Sequence, residues 1–492
     1  MTVTQKHEDL DVVPCWINGK AGPLDTNNLI EVSSSAKGKK VYYAQSASAE
    51  TAMAAVESAA ETFKSFSQVP YNKRRELLLK VADVLESRVD ELALYQMEET
   101  SCPEMWGRFN VILAAKAVRE IAANITIACT GEMPPPETAD AFCLVYKQPI
   151  GPVLSMAPWN GSIILSCRSL AAPLAAGCTV LFKASELSPR THHGVVEAFL
   201  AGGIPEGALN QIQVKREDAT SITEMIIAHP AIRKVEFIGS TAVGRSIGQV
   251  AAKYLKPILM ELGGKAPAIV LKDADLERAA ALCVQGATMH HGQICMSTER
   301  IIVVEEVAAE FIKHLNDAVT SLKGDAGFAV TKAMAKKAQK LIDDALSHGA
   351  TSLVGGNQER GDSGAALVPT FITGVKSGNP IHDVETFGPS ATVYVVADEK
   401  EAIETANDSS YGLTGAIHTN DILKGLRLAK QMEVGLVAIN SMTLWEESPV
   451  PMGGVKGSGW GKNNARFGIE EFLIQKAVAI IAAAGQPTFG AS

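Results

Sequence analysis

The chain predicts an α/β fold made of two parallel-sheet units, and three observations carry that expectation. Short apolar runs at residues 152–157, 179–182, 210–214 and 235–238 alternate with helical stretches at 187–201 and 222–227, the order expected of parallel βαβ units. A second set of apolar runs, at 268–271, 299–304, 392–396 and 437–440, places the start of another α/β unit near Gly263. The length of 492 residues also exceeds one ordinary core and favours two or three domains.

Before the first set, residues 48–99 read as two amphipathic helices. Ala52, Ala55, Val56 and Ala59 share one stripe, and Leu78, Leu79, Val81, Ala82, Val84 and Leu85 another, so the first hundred or so residues are expected to be mostly helical. Pro134-Pro135-Pro136 ends the helical period, and Phe142-Cys143-Leu144-Val145-Tyr146 reads as an extended excursion out of the first unit. Near the other end a glycine-rich loop at 453–461 precedes an apolar stretch at 472–482. That stretch has too little neighbouring sequence for its own core, so it must cover another part of the fold or a second subunit.

Composition narrows the function. Hydrophobic residues make up 47% and charged residues 20%, as in an ordinary globular enzyme. A net charge of -9 gives no basic surface for nucleic acid or anionic lipid. Eight scattered cysteines without Cys-x-x-Cys spacing fit reduced thiols. The first ten residues lack the apolar region of a secretory signal, and no run is long enough for a membrane span, so the expectation is a cytoplasmic protein.

Two segments offer chemistry. Gly292-Gln293-Ile294-Cys295 presents a thiol in a glycine-bearing turn, and Met260-Glu261-Leu262-Gly263-Gly264-Lys265 a carboxylate beside two glycines. A thiol and a water-activating base can together make and hydrolyse an acyl intermediate. Cys295 could equally be an inert buried thiol and Glu261 a helix end. His290-His291 allows a Cys–His hydrolase, although a helix-end pair explains the doublet more simply. In Pro158-Trp159-Asn160-Gly161, Asn160 is either an N-cap or an amide donor to an oxyanion.

Two further loops point to a dinucleotide. Gly239-Ser240-Thr241-Ala242-Val243-Gly244 follows an apolar run and opens a helix, so it is either a tight turn or a cradle for pyrophosphate. It lacks the spacing and the lysine of a triphosphate loop. Lys183-Ala184-Ser185-Glu186 stands at the end of another run, where open α/β sheets bind ligands, and could also be a solvated turn. A carboxylate at Glu186 would accept ribose hydroxyls and repel a 2'-phosphate, which predicts NAD, with NADP the less favoured alternative.

Taken together these segments resemble the aldehyde dehydrogenase superfamily. With Glu385-Thr386-Phe387-Gly388-Pro389 and Gly453-Gly454-Val455-Lys456 they stand in that family's order over nearly the whole chain. The resemblance implies Cys295 as nucleophile, Glu261 as the base for water, and Asn160 with the Cys295 amide as oxyanion donors. It implies cofactor contacts from Trp159, Lys183, Glu186, Gly239, Ser240, Gly244, Leu262, Glu385 and Phe387, and no metal. The thiol, with an ordinary pKa of about 8.5, needs help to ionise, and a nicotinamide cation beside the sulfur is the expected source.

The resemblance implies a Rossmann-like cofactor domain from residues 1–128 and 149–262, a catalytic α/β domain from 263–467, and a β oligomerisation element from 129–148 and 468–492 of a homodimer or homotetramer. The chain departs from the family's pattern at Ala242, where a Glu is common, at Lys215-Arg216-Glu217-Asp218, which lacks the usual glycines, and at a shortened stretch 322–330. It is most similar to the branch of salicylaldehyde, vanillin and benzaldehyde dehydrogenases, which implies an aromatic aldehyde substrate. Leu165 and Arg168 would then line the substrate tunnel from one helix face, with Ile294, Met296, Trp445 and Met452 as apolar walls. Arg168 could bind a ring hydroxyl or a carboxylate, or form a structural ion pair. The rival readings are an NAD(P)-dependent aliphatic semialdehyde dehydrogenase and a catalytically retired member used for binding.

Overall fold

The computed structural model describes residues 5–138, 141–356 and 363–481. Its first large sheet has eight strands in the order Gly459–Trp460, Ile258–Glu261, Lys234–Ile238, Val153–Met156, Val180–Lys183, Leu209–Ile212, Trp16–Ile17 and Lys20–Ala21. The run from Ile258–Glu261 to Leu209–Ile212 is parallel throughout. Successive residues of these strands enter opposite cores. Val153, Val180, Phe182 and Leu209 join the helices on one face, while Leu154, Met156, Leu181 and Ile212 join those on the other, which is why the runs are apolar without alternation. Val153–Met156 neighbours both Val180–Lys183 and Lys234–Ile238, so the strand order reverses there and opens a crevice at the carboxyl ends.

The second sheet has seven strands in the order Thr351–Val354, Thr370–Thr373, Ser390–Val396, Thr298–Val304, Ala266–Val270, Thr414–His418 and Leu436–Ile439. All pairings are parallel except that of the edge strand Thr351–Val354. The chain passes from one sheet to the other between Glu261 and Ala266. Phe311, from the helix Glu305–Ser321, is fully buried on one face of the second sheet.

The amino-terminal region differs from the helical expectation. Lys6–His7, Leu10–Val13, Leu29–Ser34 and Lys39–Gln45 form a four-stranded sheet, and their short alternating apolar positions never reach a helical period. Helices begin only at Ala49–Phe66, and the stretch expected to hold two helices holds three, with Tyr71–Ser87 and Val89–Thr100. Pro70 separates the first pair and Arg88, with non-helical φ and ψ, the second. The long helix Glu104–Cys129 follows.

The extended excursion is the strand Ala141–Pro149, paired antiparallel along its whole length with Leu473–Ile481. Residues 482–492 of the expected oligomerisation element, and 1–4 of the first domain, lie outside the described residues. The last part of the chain also returns to the first sheet. Gly459–Trp460 pairs antiparallel with the strand that carries Glu261, and Ile469 and Phe472 enter the first core. No helix among the described residues is long and apolar enough to cross a membrane.

Replacing Phe311 by Ala is expected to lower stability by about 3–5 kcal/mol, read as a reduced midpoint in urea unfolding.

Candidate active site

The crevice where the strand order reverses receives Asn160, on the turn between Val153–Met156 and the helix Ser162–Ala176. Asn160 does not cap that helix. Gly161 occupies the N-cap position, and the Asn160 amide nitrogen donates instead to the Gln293 carbonyl at 2.9 Å. The Trp106 indole N–H donates to the Asn160 carbonyl at 3.1 Å. With its backbone held by Trp106 and its side-chain amide by Gln293, Asn160 keeps a further N–H to give and is a pre-oriented donor.

Gln293 belongs to the turn that presents the thiol. Its side chain donates to the carbonyls of His290 and Phe328 and accepts the Val330 N–H. The Ser297 N–H closes the turn on the Ile294 carbonyl at 2.8 Å. Gly292 has φ +69°, and a Cβ there would stand 2.1 Å from the Gly388 carbonyl oxygen, so glycine is required. The doublet before it is a short 3-10 turn whose residues have φ of 49° and 60°. His290 stacks on Trp106 with ring centres 5.4 Å apart, and burial pushes it down to about 3. A histidine held neutral in an aromatic stack is a poor partner for a thiol, which counts against a Cys–His pair.

Glu261 ends the strand Ile258–Glu261. Beyond it the backbone crosses directly under the thiol turn, where a Cβ on Gly264 would lie 2.3 Å from the Cys295 carbonyl oxygen. Lys265 is anchored in a buried cluster, its amine bonded to Glu299, to the Val384 carbonyl at 2.8 Å and to the Thr386 hydroxyl at 3.1 Å. Glu299 in turn accepts the backbone N–H of Thr386 and of Phe387. This fixes the loop of Glu385, whose carboxylate accepts the Gly264 N–H at 3.1 Å.

Glu261, Cys295 and Asn160 share one cavity of about 240 Å³. No hydrogen bond of ordinary geometry reaches either carboxylate oxygen of Glu261 among the described residues, although the Cys295 thiol lies near enough to bear on it. Burial pushes Glu261 up to about 7, with the Cys295 thiol and the Arg168 guanidinium drawing it back. Burial likewise raises the Cys295 thiol, and Glu261, Glu385 and Glu446 add to the rise. Leu165, Arg168, Ile294, Met296 and Met452 line the cavity as expected on its walls. Trp445 is not among the lining residues: it is 37% exposed, and its neighbours Leu444 and Glu446 face inward instead. The Trp445 N–H closes a turn on the Met442 carbonyl, and that turn carries the indole outward.

Several residues expected to hold a dinucleotide stand at the carboxyl ends of the first sheet's strands, among them Lys183, Gly239 and Leu262. Lys183 ends Val180–Lys183, and burial lowers its amine while Glu186 opposes the shift. No hydrogen bond from Ser240 caps the helix Thr241–Lys253, so its first amides stay available. The Gly239 N–H donates to the Glu261 carbonyl, and a Cβ on Gly244 would collide with Leu262. Trp159 meets Phe387 edge to face at 5.9 Å. Burial raises Glu385 to about 8, with Glu299 adding to the effect. A half-buried lysine, helix amides without a side-chain cap and a nearby carboxylate fit a ribose and pyrophosphate.

The sequence profile of the aldehyde dehydrogenase family matches residues 23–478. The chain belongs to that family. It is 40% identical to a vanillin dehydrogenase of Pseudomonas fluorescens over 94% of this chain and 96% of the relative. It is also 32% identical to an NADP(+) succinate-semialdehyde dehydrogenase of Schizosaccharomyces pombe, over 94% and 95% of the two chains. The fold matches the crystal structure of a salicylaldehyde dehydrogenase from Pseudomonas putida G7 complexed with salicylaldehyde, with TM-score 0.93, 36% identity and coverage of 97% and 99%. This aldehyde dehydrogenase is therefore an oxidoreductase of a family that uses NAD(P).

Several lining residues of the enzyme went unread in its sequence. Trp106, Phe109, Asn110 and Leu113 reach the cavity from the helix Glu104–Cys129. Their helical spacing was visible, but it is equally the spacing of a core stripe. Glu446 sits in an irregular loop with no periodic signal.

The buried Lys265–Glu299 pair is expected to be structural for the aldehyde dehydrogenase site. Glu299→Ala would leave a buried ammonium and two backbone N–H groups unpaired, lowering stability by about 3–5 kcal/mol in chemical unfolding.

Proposed function

We propose that this aldehyde dehydrogenase oxidises an aromatic aldehyde to the carboxylic acid with NAD. The observation that carries the reading is the single cavity joining Cys295, Glu261 and Asn160 to walls supplied by Trp106, Phe109, Leu113, Leu165, Ile294 and Met452. The likeness to vanillin and salicylaldehyde enzymes supports the aromatic class. The likeness to the S. pombe relative keeps an aliphatic semialdehyde as a second reading.

In this reading the Cys295 thiolate attacks the aldehyde carbon, a C–S bond forms, and the carbonyl π pair moves to oxygen. The Asn160 amide and the Cys295 backbone N–H hold that oxyanion. Bound NAD supplies the acceptor for the hydride that leaves the same carbon. Glu261 takes a proton from water, which attacks the resulting thioester, and the C–S bond breaks to return the thiolate. Transfer to coenzyme A would need no such base, so Glu261 supports release of a free acid.

Lys183 and Glu186 would hold the adenosine ribose, and Glu186 would disfavour a 2'-phosphate. The amides near Gly239, Ser240 and Gly244 would receive the pyrophosphate, while Trp159, Leu262, Glu385 and Phe387 would border the nicotinamide half. We further assign residues 1–128 and 149–262 to cofactor binding and 263–467 to catalysis. The two-stranded ribbon of Ala141–Pro149 and Leu473–Ile481, with Phe142, Tyr146, Ile474, Val478 and Ile480 exposed, is assigned to a homodimer or homotetramer contact.

A panel of aromatic and aliphatic aldehydes with NAD and with NADP tests the reading, and a preference for aliphatic semialdehydes would overturn its aromatic part. Glu261 works only when ionised, and its pKa stands near 7, so turnover is expected to rise as pH increases through about 7 and to fall below it. Glu261→Gln should cut steady-state turnover by about 10²–10⁴ yet leave a single-turnover burst of NADH, whereas Cys295→Ala should abolish both.

A further inference from the structure

Glu446 stands beside the reacting groups in a cavity that is otherwise mostly apolar. It follows the strand Leu436–Ile439 on a loop, and its charge is felt by both Glu261 and Cys295. Its Oε1 accepts from the Arg168 guanidinium and from the Asn464 amide, the latter at 2.8 Å. Asn464 also donates to the Val450 carbonyl at 3.0 Å, which clamps the loop. The two charged side chains are 3% and 10% exposed for Arg168 and Glu446 respectively, so the pair is a fixed part of the wall.

A lone guanidinium on a substrate wall would be a receptor for carboxylate. Here its charge is matched by Glu446, and Glu236 and Glu261 also bear on it electrostatically, while its buried Nε has no hydrogen-bond partner among the described residues. A substrate carrying a carboxylate besides its aldehyde group would thus approach a set of acidic groups around an already paired cation, and such like-charge contact is costly. An uncharged ring bearing a hydroxyl meets the opposite situation, because no described residue donates a hydrogen bond to Glu446 Oε2.

Building on the reading of the enzyme as an aromatic aldehyde dehydrogenase, we propose that Glu446 is the specificity-determining residue of this cavity. By engaging Arg168 it excludes carboxylated aldehydes, and its Oε2 accepts the hydroxyl hydrogen of a phenolic one. The pair thereby selects between the two substrate classes represented among the enzyme's relatives.

The test compares kcat/KM for para-hydroxybenzaldehyde and para-carboxybenzaldehyde, and for their meta isomers, using the full chain with NAD. The wild type is expected to favour the hydroxylated aldehyde by at least about tenfold. Glu446→Gln frees the guanidinium and should shrink that ratio by at least about tenfold, mainly through a lower KM for the carboxylated substrate. Adding Arg168→Met to Glu446→Gln should remove this gain. A wild-type ratio near one or inverted overturns the proposal, and so does a folded Glu446→Gln enzyme with an unchanged ratio. If the variant does not fold, the wild-type ratio decides. If the wild type oxidises benzaldehyde but fails the ratio, only the role of Glu446 falls; if it forms no NADH even with benzaldehyde, the parent reading falls and takes this one with it.

Discussion

The contact on which the site depends is between two backbones. The turn after Glu261 passes so close to the Cys295 carbonyl that no side chain fits at Gly264. Cys295 precedes a strand of the seven-stranded sheet, and Glu261 ends a strand of the eight-stranded one. A nucleophile and a carboxylate from different sheets can share a cavity only if the sheets are locked at that crossing. On the seven-stranded side the crossing is held by the buried Lys265–Glu299 pair, which ties two neighbouring strands of that sheet and, through the N–H groups of Thr386 and Phe387, the loop of Glu385. Removing water from this cluster is costly, and the cost is offset only because nearly every polar atom in it is bonded.

The same burial sets the electrostatics. Three carboxylates bear on one sulfur, and the low-dielectric surroundings hold the thiol protonated while leaving Glu261 poised near neutrality. Such opposed demands suit a site that ionises only when its partners are in place. The apolar walls from the long helix Glu104–Cys129 sharpen these effects by keeping the cavity poor in polar groups.

Much of this was legible in the sequence because the relevant patterns are local. The parallel strands announced themselves as unbroken apolar runs, since both faces of each are covered, and the thiol and carboxylate stood in glycine-bearing turns that only close backbone approach explains. What escaped was either irregular or ambiguous. The amino-terminal strands lack the unbroken apolar runs of the buried parallel ones, Leu29–Ser34 alternating buried and exposed residues instead, and three helices read as two because the break at Arg88 involves neither Gly nor Pro. Asn160 illustrates a choice the sequence left open: its amide crosses to Gln293 rather than capping a helix. Trp445 and Glu446 show the limit of loop reading, where a shift of one residue exchanges an aromatic wall for a charged one.

The small strand Gly459–Trp460 has a consequence for how the molecule is made. It covers the outer side of the strand that ends in Glu261, and every strand of the seven-stranded sheet precedes it in the chain. A ribosome therefore releases the first sheet with that flank bare, its amides and carbonyls open to any other extended segment, until the whole second sheet has emerged as well. Truncations before Gly459 would leave this border unsealed even where they spare Glu261 and Cys295.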